Sequence, residues 1–320
     1  MRKTYHLCIS SHDEVMFRCR EDYIRGFNCF AEAVLETESR ALADAEMSTH
    51  THYSVQTDNH KELMFSSRNK YSRYFNAKYQ RSGRLGEKEY FWLELNGLKH
   101  TMACLSYNMR QGLHHGLAET PFGYEFCSVN VIFQKQLGKN PHHDLLPERN
   151  KSKYLSRDSA ARGYRMDKSG LLLREDIIDT SYVEELYISP RSFLLHMNRF
   201  SDEKWIKEQE EDANQAPPIT LETVEPDSGN NIKWLLDNER GRVDYGYYTD
   251  IELCEMIDNE YVPRLCQEKD APSIYLLSER QRRDIGNRIW TDITSSMVNR
   301  KRGIAIKNVR KEQLARCLVL

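Results

Sequence analysis

The chain has 320 residues, 39% hydrophobic and 10% aromatic, which is more than one small core requires, so two domains are predicted. Charged residues make up 29%, and no apolar run reaches the length of a membrane-spanning helix; an α-helical membrane protein is excluded and no membrane partner is expected. The net charge of -2 conceals segregation: Lys61 to Arg84 carries +6, Ser201 to Glu260 carries -12, and Ala271 to the end carries +7. No secretory signal opens the sequence. The cysteines (Cys8, Cys19, Cys29, Cys104, Cys127, Cys254, Cys266 and Cys317) include no C-x-x-C pair. That pattern fits reduced thiols in a cytoplasm rather than a disulfide framework or a zinc site.

In chain order, Thr4 to Ser10 is a predicted strand. Glu21 to Leu35 carries Tyr23, Phe27, Phe30, Ala31 and Val34 at helical spacing and predicts an amphipathic helix. Met47 to Thr57 is β-prone. Lys61 to Gln80 reads as a helix ended by Ser82 and Gly83, Tyr90 to Leu95 as a strand, and Leu98 to about Gln111 as a helix closed by Gly112. Phe126 to Phe133 is a further strand candidate. This alternation predicts an α+β domain, helices covering a mostly antiparallel sheet, over residues 1–135. Residues 136–175 are polar, basic and turn-rich, and read as a linker or an extended arm. Residues 176–320 read as mostly α-helical, over Ile177 to Tyr187, Pro190 to Glu211, Asn231 to Asn238, Asp250 to Gln267, Ser278 to Arg300 and Lys311 to Leu318. Pro217, Pro218, Pro226 and Gly229 punctuate the middle of this half.

His50 and His52 lie two residues apart in a predicted strand, so both imidazoles project from one face and suit a divalent cation. The alternative is a pair of surface histidines. In the helix from Leu98, the residues Leu98, Met102, Leu105 and Met109 define a buried stripe, which places Tyr107 and Gln111, one turn apart, on the face away from the core. A phenol is a poor nucleophile when protonated and needs an activated phosphate or a nearby base. The helix Lys61 to Gln80 interleaves aromatics with cations: Arg68, Arg73, Tyr74, Lys78, Arg81 and the following Arg84 are candidates for contact with a nucleic-acid strand. The competing reading makes Tyr71, Phe75 and Tyr79 core residues. His114-His115 and His142-His143 are expected to be solvated, and His6 and His12 have no partner at ligand spacing.

The segment Met47-Ser48-Thr49-His50-Thr51-His52 resembles the M-x-N-H-x-H signature of single-tyrosine HUH transposases, including REP-associated tyrosine transposases. Tyr74-Phe75-Asn76, Tyr79, Arg81 and Gly83 resemble that family's Y-x-x-Y-F-N-x-x-Y-x-R-x-G stretch. Tyr107-Asn108-Met109-Arg110-Gln111 resembles its catalytic helix, and Pro121, Tyr124 and Ser128 follow at familiar offsets. Thr51 replaces a bulky apolar residue, Ser48-Thr49 replaces Pro-Asn, and Gly112 stands where many relatives carry proline. The resemblance covers about Thr4 to Ser128. It implies a ferredoxin-like, HUH-type antiparallel sheet, with His50, His52 and Gln111 as ligands of Mg²⁺ or Mn²⁺. It further implies Tyr107 as the nucleophile that cuts single-stranded, hairpin-containing DNA and keeps the 5′ end as a phosphotyrosine. The sequence leaves open a homodimer, with the tyrosine helix supplied in cis or in trans.

Two other readings stand beside this one. A DNA-binding regulator would keep the fold without the chemistry, and a metal hydrolase would dispense with Tyr107. The tail Lys311 to Leu318 resembles the first helix of a helix-turn-helix, or is the closing helix of an all-α region.

Overall fold

The computed structural model describes residues 2–199, 219, 243–266, 273–298 and 307–320. The helix expected over Asn231 to Asn238, the turn residues Pro217, Pro218, Pro226 and Gly229, and the far ends of the helices expected over Pro190 to Glu211, Asp250 to Gln267 and Ser278 to Arg300 lie outside them.

Four strands, β1 (Lys3–Ser10), β2 (Arg40–Glu46), β3 (His50–Thr57) and β4 (Phe91–Leu95), form one antiparallel sheet in the order β2-β3-β1-β4. Helix α1 (Arg20–Glu36) and helix α2 (His60–Tyr79) pack together on one face, and α3 (Gly97–Met109) packs on the other. The fold is α+β, as expected, with a helical C-terminal region. Pleat alternation assigns each strand residue to a face. Tyr53 stacks on Phe30 of α1 at 3.9 Å between centroids, so the α1 face also takes Thr51 and Val55. His50, His52 and Ser54 therefore face α3, together with their cross-strand partners Ser10, Cys8 and His6 in β1.

Two expected elements differ. Strand β2 reads Arg-Ala-Leu-Ala-Asp-Ala-Glu, a composition poor in β-formers, and the sequence gives no sign of it. It forms because pairing with β3 satisfies its backbone, and six of its seven residues are buried. Conversely, Phe126 to Phe133 is not a strand. It makes one bridge, Ala45 to Cys127, and then winds into a 3-10 turn over Ser128–Val131. The Ser128 hydroxyl accepts from the Asp44 amide at 3.0 Å, and the pairing goes no further along β2. The order is therefore β-α-β-β-α-β-α.

Residues 136–175 lie against α1 and enter its core. Leu155, Met166 and Leu172 are buried there, and Asn28 on α1 donates to Gly170 O at 2.7 Å and accepts from the Leu172 amide at 3.0 Å. Helices α4 (Gln111–His114), α5 (Arg174–Ile177), α6 (Thr180–Tyr187) and α7 (Pro190–Asn198) follow. Val183 and Tyr187 of α6 and Phe193 and Met197 of α7 belong to the same core.

A second core gathers residues after position 243: Leu253, Ile257, Ile285, Ile289, Leu314 and Leu318 pack together with Val15 of the first half. Its helices include α8 (Asp250–Met256), α9 (Glu279–Val298) and α10 (Lys311–Leu318). Arg18 ties the two cores. Its fully buried guanidinium donates to both Asp258 carboxylate oxygens at 2.9 and 2.8 Å and to Cys317 O at 2.9 Å.

Arg174 clamps α5 onto β2, donating to Asp44 Oδ2 and Glu46 Oε2 at 2.9 Å each. Both carboxylates are fully buried, and the second oxygen of each has no hydrogen-bond partner. One cation thus faces two acids. Burial, then the Asp44 charge, push the Glu46 carboxyl well above its ordinary 4.5, against the pull of Arg174; burial also raises Asp44. The folded chain therefore keeps a proton that the unfolded chain releases above about pH 4.5. This stabilisation is complete below that pH and is lost as pH rises through the raised folded value. Glu46→Gln carries the neutral form permanently. Its melting temperature is expected to fall less than the wild type's between acid and alkaline pH, a comparison made by calorimetry across the range.

Candidate active site

His50 and His52 sit on the α3 face of β3 with ring centroids 5.0 Å apart. Tyr107 of α3 stands edge-on to His52 at 5.6 Å, and Gln111 begins α4 one turn further on. The Gln111 amide nitrogen contacts Tyr107 O at 3.4 Å, and its Oε1 is buried with no hydrogen-bond partner. Beyond α4, the ring of His115 lies 4.8 Å from that of His50, so α4 spans the distance between the phenol and the first histidine. The two histidines, the amide and the phenol therefore gather on one side of the sheet.

Their burial differs from expectation. Tyr107 is 3% exposed and Gln111 0%, whereas Leu98, expected in the core, is 67% exposed. The second half of α3 has no outward face because it is sandwiched. Toward the sheet, Asn108 donates to Ser54 Oγ at 3.1 Å and Cys104 meets the same hydroxyl at 3.7 Å. On another side Ser106 hydrogen-bonds Tyr187 of α6 at 2.8 Å. Tyr107 itself packs with Leu95, Ala103, Cys104 and Ile219. A single amphipathic stripe describes a helix covering a surface, not one enclosed between layers.

Three further histidines join the site, all of them set aside by the sequence reading. His6 Nε2 lies 3.3 Å from His52 Nδ1, its ring stacked at 5.2 Å, and it meets Tyr107 edge-on at 6.2 Å. His114 is buried with its ring 5.5 Å from that of Tyr107, and His115 packs on His50. The contact between His6 and the second histidine follows from the β1-β3 register, which places His6 opposite Ser54 and Cys8 opposite His52. That register is invisible in local sequence.

The aromatic and basic helix α2 lies on the opposite face of the sheet. Tyr74 donates to Asp22 Oδ1 at 3.0 Å, and Lys78 to the same oxygen at 2.8 Å and to Glu21 at 2.8 Å. Arg81 binds Glu14 at 3.0 Å through Nε, and Arg68 donates to the carbonyls of Glu87 and Lys88. Of the six cationic and aromatic candidates, Arg73 and Arg84 are the exposed ones. The rest join α2 to α1 and to the loops around it, while Tyr71, Phe75 and Tyr79 are core.

Gly112 is a close-approach glycine. A Cβ there would lie 2.3 Å from Tyr124 Cβ, and Tyr124 is fixed by its hydroxyl donating to Glu46 O at 2.6 Å. Gly112→Ala is expected to displace the Tyr124 ring and cost about 1–3 kcal/mol. Because Gly112 is next to Gln111, the same change should shift the amide. Urea denaturation reads the first effect.

No family model and no curated protein matches the chain. Among solved structures, a REP-associated tyrosine transposase bound to a REP hairpin is similar over 43% of this chain and 82% of that one, with a TM-score of 0.36 and 10% identity. No helix among the described residues is long and apolar enough to cross a membrane.

Proposed function

We propose that this chain is a metal-dependent single-tyrosine nuclease and strand transferase acting on single-stranded, hairpin-containing DNA. The observation that carries the reading is the meeting of Tyr107 with His52, 5.6 Å between rings, one helical turn before the unpartnered Gln111 oxygen. Among the described residues no group of three or more His, Cys, Asp or Glu side chains is arranged to hold a metal ion. Beside His50 and His52, the buried Gln111 amide oxygen without a partner is a donor suited to a third ligand position. Two imidazoles and one amide oxygen form a neutral set with no carboxylate, which fits Mn²⁺ at least as well as Mg²⁺.

When bound, that ion supplies charge neutralisation on the phosphate oxygens and on the departing 3′ oxygen. His50, His52 and Gln111 would hold it. Tyr107 Oη would attack the phosphorus: the Oη–P bond forms, the P–O3′ bond breaks, the phenol loses its proton and the 3′ oxygen gains one. The 5′ end stays on the tyrosine, and the reverse step joins it to another 3′-OH without ATP. The imidazoles around the phenol keep its ring in place. With Tyr107 3% exposed, a phosphate reaches it only when side chains packed on it, Ile219 among them, give way.

That burial is also the observation favouring a second reading, a DNA-binding protein that retains the fold without cutting. The test is incubation with a pool of single-stranded hairpin DNAs and Mn²⁺ or Mg²⁺, read by denaturing gel. A slow-migrating protein-DNA adduct supports the nuclease; binding to hairpins with neither nicking nor adduct in either metal supports the second reading.

A further inference from the structure

Beside His50, between the β2-β3 turn, the loop Gly116 to Phe126 and the C-terminal core, lies a cleft of about 630 Å³. That volume falls in the range of sites for small organic molecules, about 300–1,000 Å³. Its walls combine aromatic side chains with cations and with the acids Glu125, Asp244, Asp250 and Glu312. Tyr245 is 67% exposed with its hydroxyl on Glu119 at 2.9 Å, and the Arg310 guanidinium lies 4.3 Å over the Tyr247 ring. Lys307 and Arg316 also line it. At the inner wall, Gln313 donates to Tyr248 O at 2.8 Å, and its Oε1 has no hydrogen-bond partner.

We propose that this cleft takes a short run of unpaired nucleotides from the strand whose phosphate is delivered to Tyr107. The inference rests on the proposed nuclease reading and adds the path of the strand. An open aromatic ring and a guanidinium layered on a second ring are platforms on which any base stacks, and neighbouring cations neutralise the phosphates between bases. Each cation has a carboxylate partner at present: Arg310 with Asp244 at 3.2 Å, Arg316 with Asp250 at 3.7 Å, and Lys307 with Glu252. The Arg310 and Lys307 pairs are substantially exposed, and such pairs are weak, so a phosphate displaces the carboxylate at small cost. Of the proposed ligands, His50 lines the cleft, so a strand lying in it passes the edge of the reacting centre, and Tyr107 is reached once the side chains packed on it give way. A duplex has its bases stacked on one another and offers them no access to these rings.

Fluorescence anisotropy of a labelled oligothymidine in EDTA tests the proposal apart from cleavage. Tyr245→Ala is expected to weaken binding about tenfold, the loss of one stacked base. Arg310→Ala is expected to lower the slope of log affinity against log salt by about 0.7, the loss of one phosphate contact with a single strand. Melting curves matching the wild type's establish that both variants are folded. Wild-type affinity and salt slope in both variants would overturn the cleft assignment, as would failure of the wild type to bind the strand, or equal sensitivity of duplex binding to both changes. Adduct formation by the wild type, followed separately, reports on the nuclease: an adduct with unaltered binding in the variants refutes the cleft alone, and altered binding without an adduct refutes the nuclease alone.

Discussion

Replacing Tyr107 with phenylalanine is expected to abolish the covalent adduct and the nicking of single-stranded hairpin DNA. The substitution removes one oxygen from a side chain that is 3% exposed and packed among Leu95, Ala103, Cys104 and Ile219. The ring contacts with His6, His52 and His114 involve the aromatic body, which phenylalanine keeps. The fold should therefore persist, at a cost of about 1–2 kcal/mol for contacts of the buried oxygen, and loss of activity in a variant that still melts cooperatively will belong to the oxygen. His50→Ala, His52→Ala and addition of EDTA should give the same loss by removing the cation. His52→Ala also deletes the contact with His6, so its effect on stability should exceed that of Tyr107→Phe. Denaturing gels with the DNA labelled at its 3′ end, on the fragment that the tyrosine retains, distinguish the outcomes. Cleavage by Tyr107→Phe at the wild-type rate would replace the covalent mechanism with a metal-activated water.

Arg174→Met should cause the largest loss of stability, about 3–5 kcal/mol, because it leaves two buried acids with no cation between them. Asp44 and Glu46 are both 0% exposed, and Arg174 is their common cation. Without it, both carboxyls must carry protons in the folded state. The loss should then deepen as pH rises above the ordinary 3.8 of Asp44 and 4.5 of Glu46, because unfolding of the variant releases two protons from the pair where the wild type releases one. Guanidinium denaturation at several pH values measures it. The triple variant Asp44→Asn, Glu46→Gln, Arg174→Met removes all charge and should recover most of the loss. An unchanged midpoint for Arg174→Met would mean that the cluster contributes nothing to holding α5 on the sheet. The consequence for function is indirect but physical: β2 pairs with β3, the strand that carries both histidines.

The sequence by itself determined the elements whose periodicity matches one environment. Helices α1 and α2 carry apolar residues at helical spacing against one partner layer, and β1, β3 and β4 are rich in β-formers. For the same reason Phe75 was legible as core, and two histidines at i and i+2 had to share a face of β3. Tertiary structure decided the rest. Strand β2 exists only through its pairing with β3, since Ala, Asp and Glu have no preference of their own for an extended backbone. The side chains of α2 turned out to face acids of α1 and its preceding loop, because Asp22 and Glu21 are brought within ion-pair reach by the packing of two helices distant in sequence. Tyr107 and Gln111 were expected on one exposed helix stripe; instead α3 ends at Met109, Gln111 begins α4, and both are buried, because enclosure of α3 between the sheet and α6 depends on where later residues return. His6, His114 and His115 reached the site by strand register and by the turn after α3. Local spacing records which residues of one element share a face; it carries no information on which other element will cover that face.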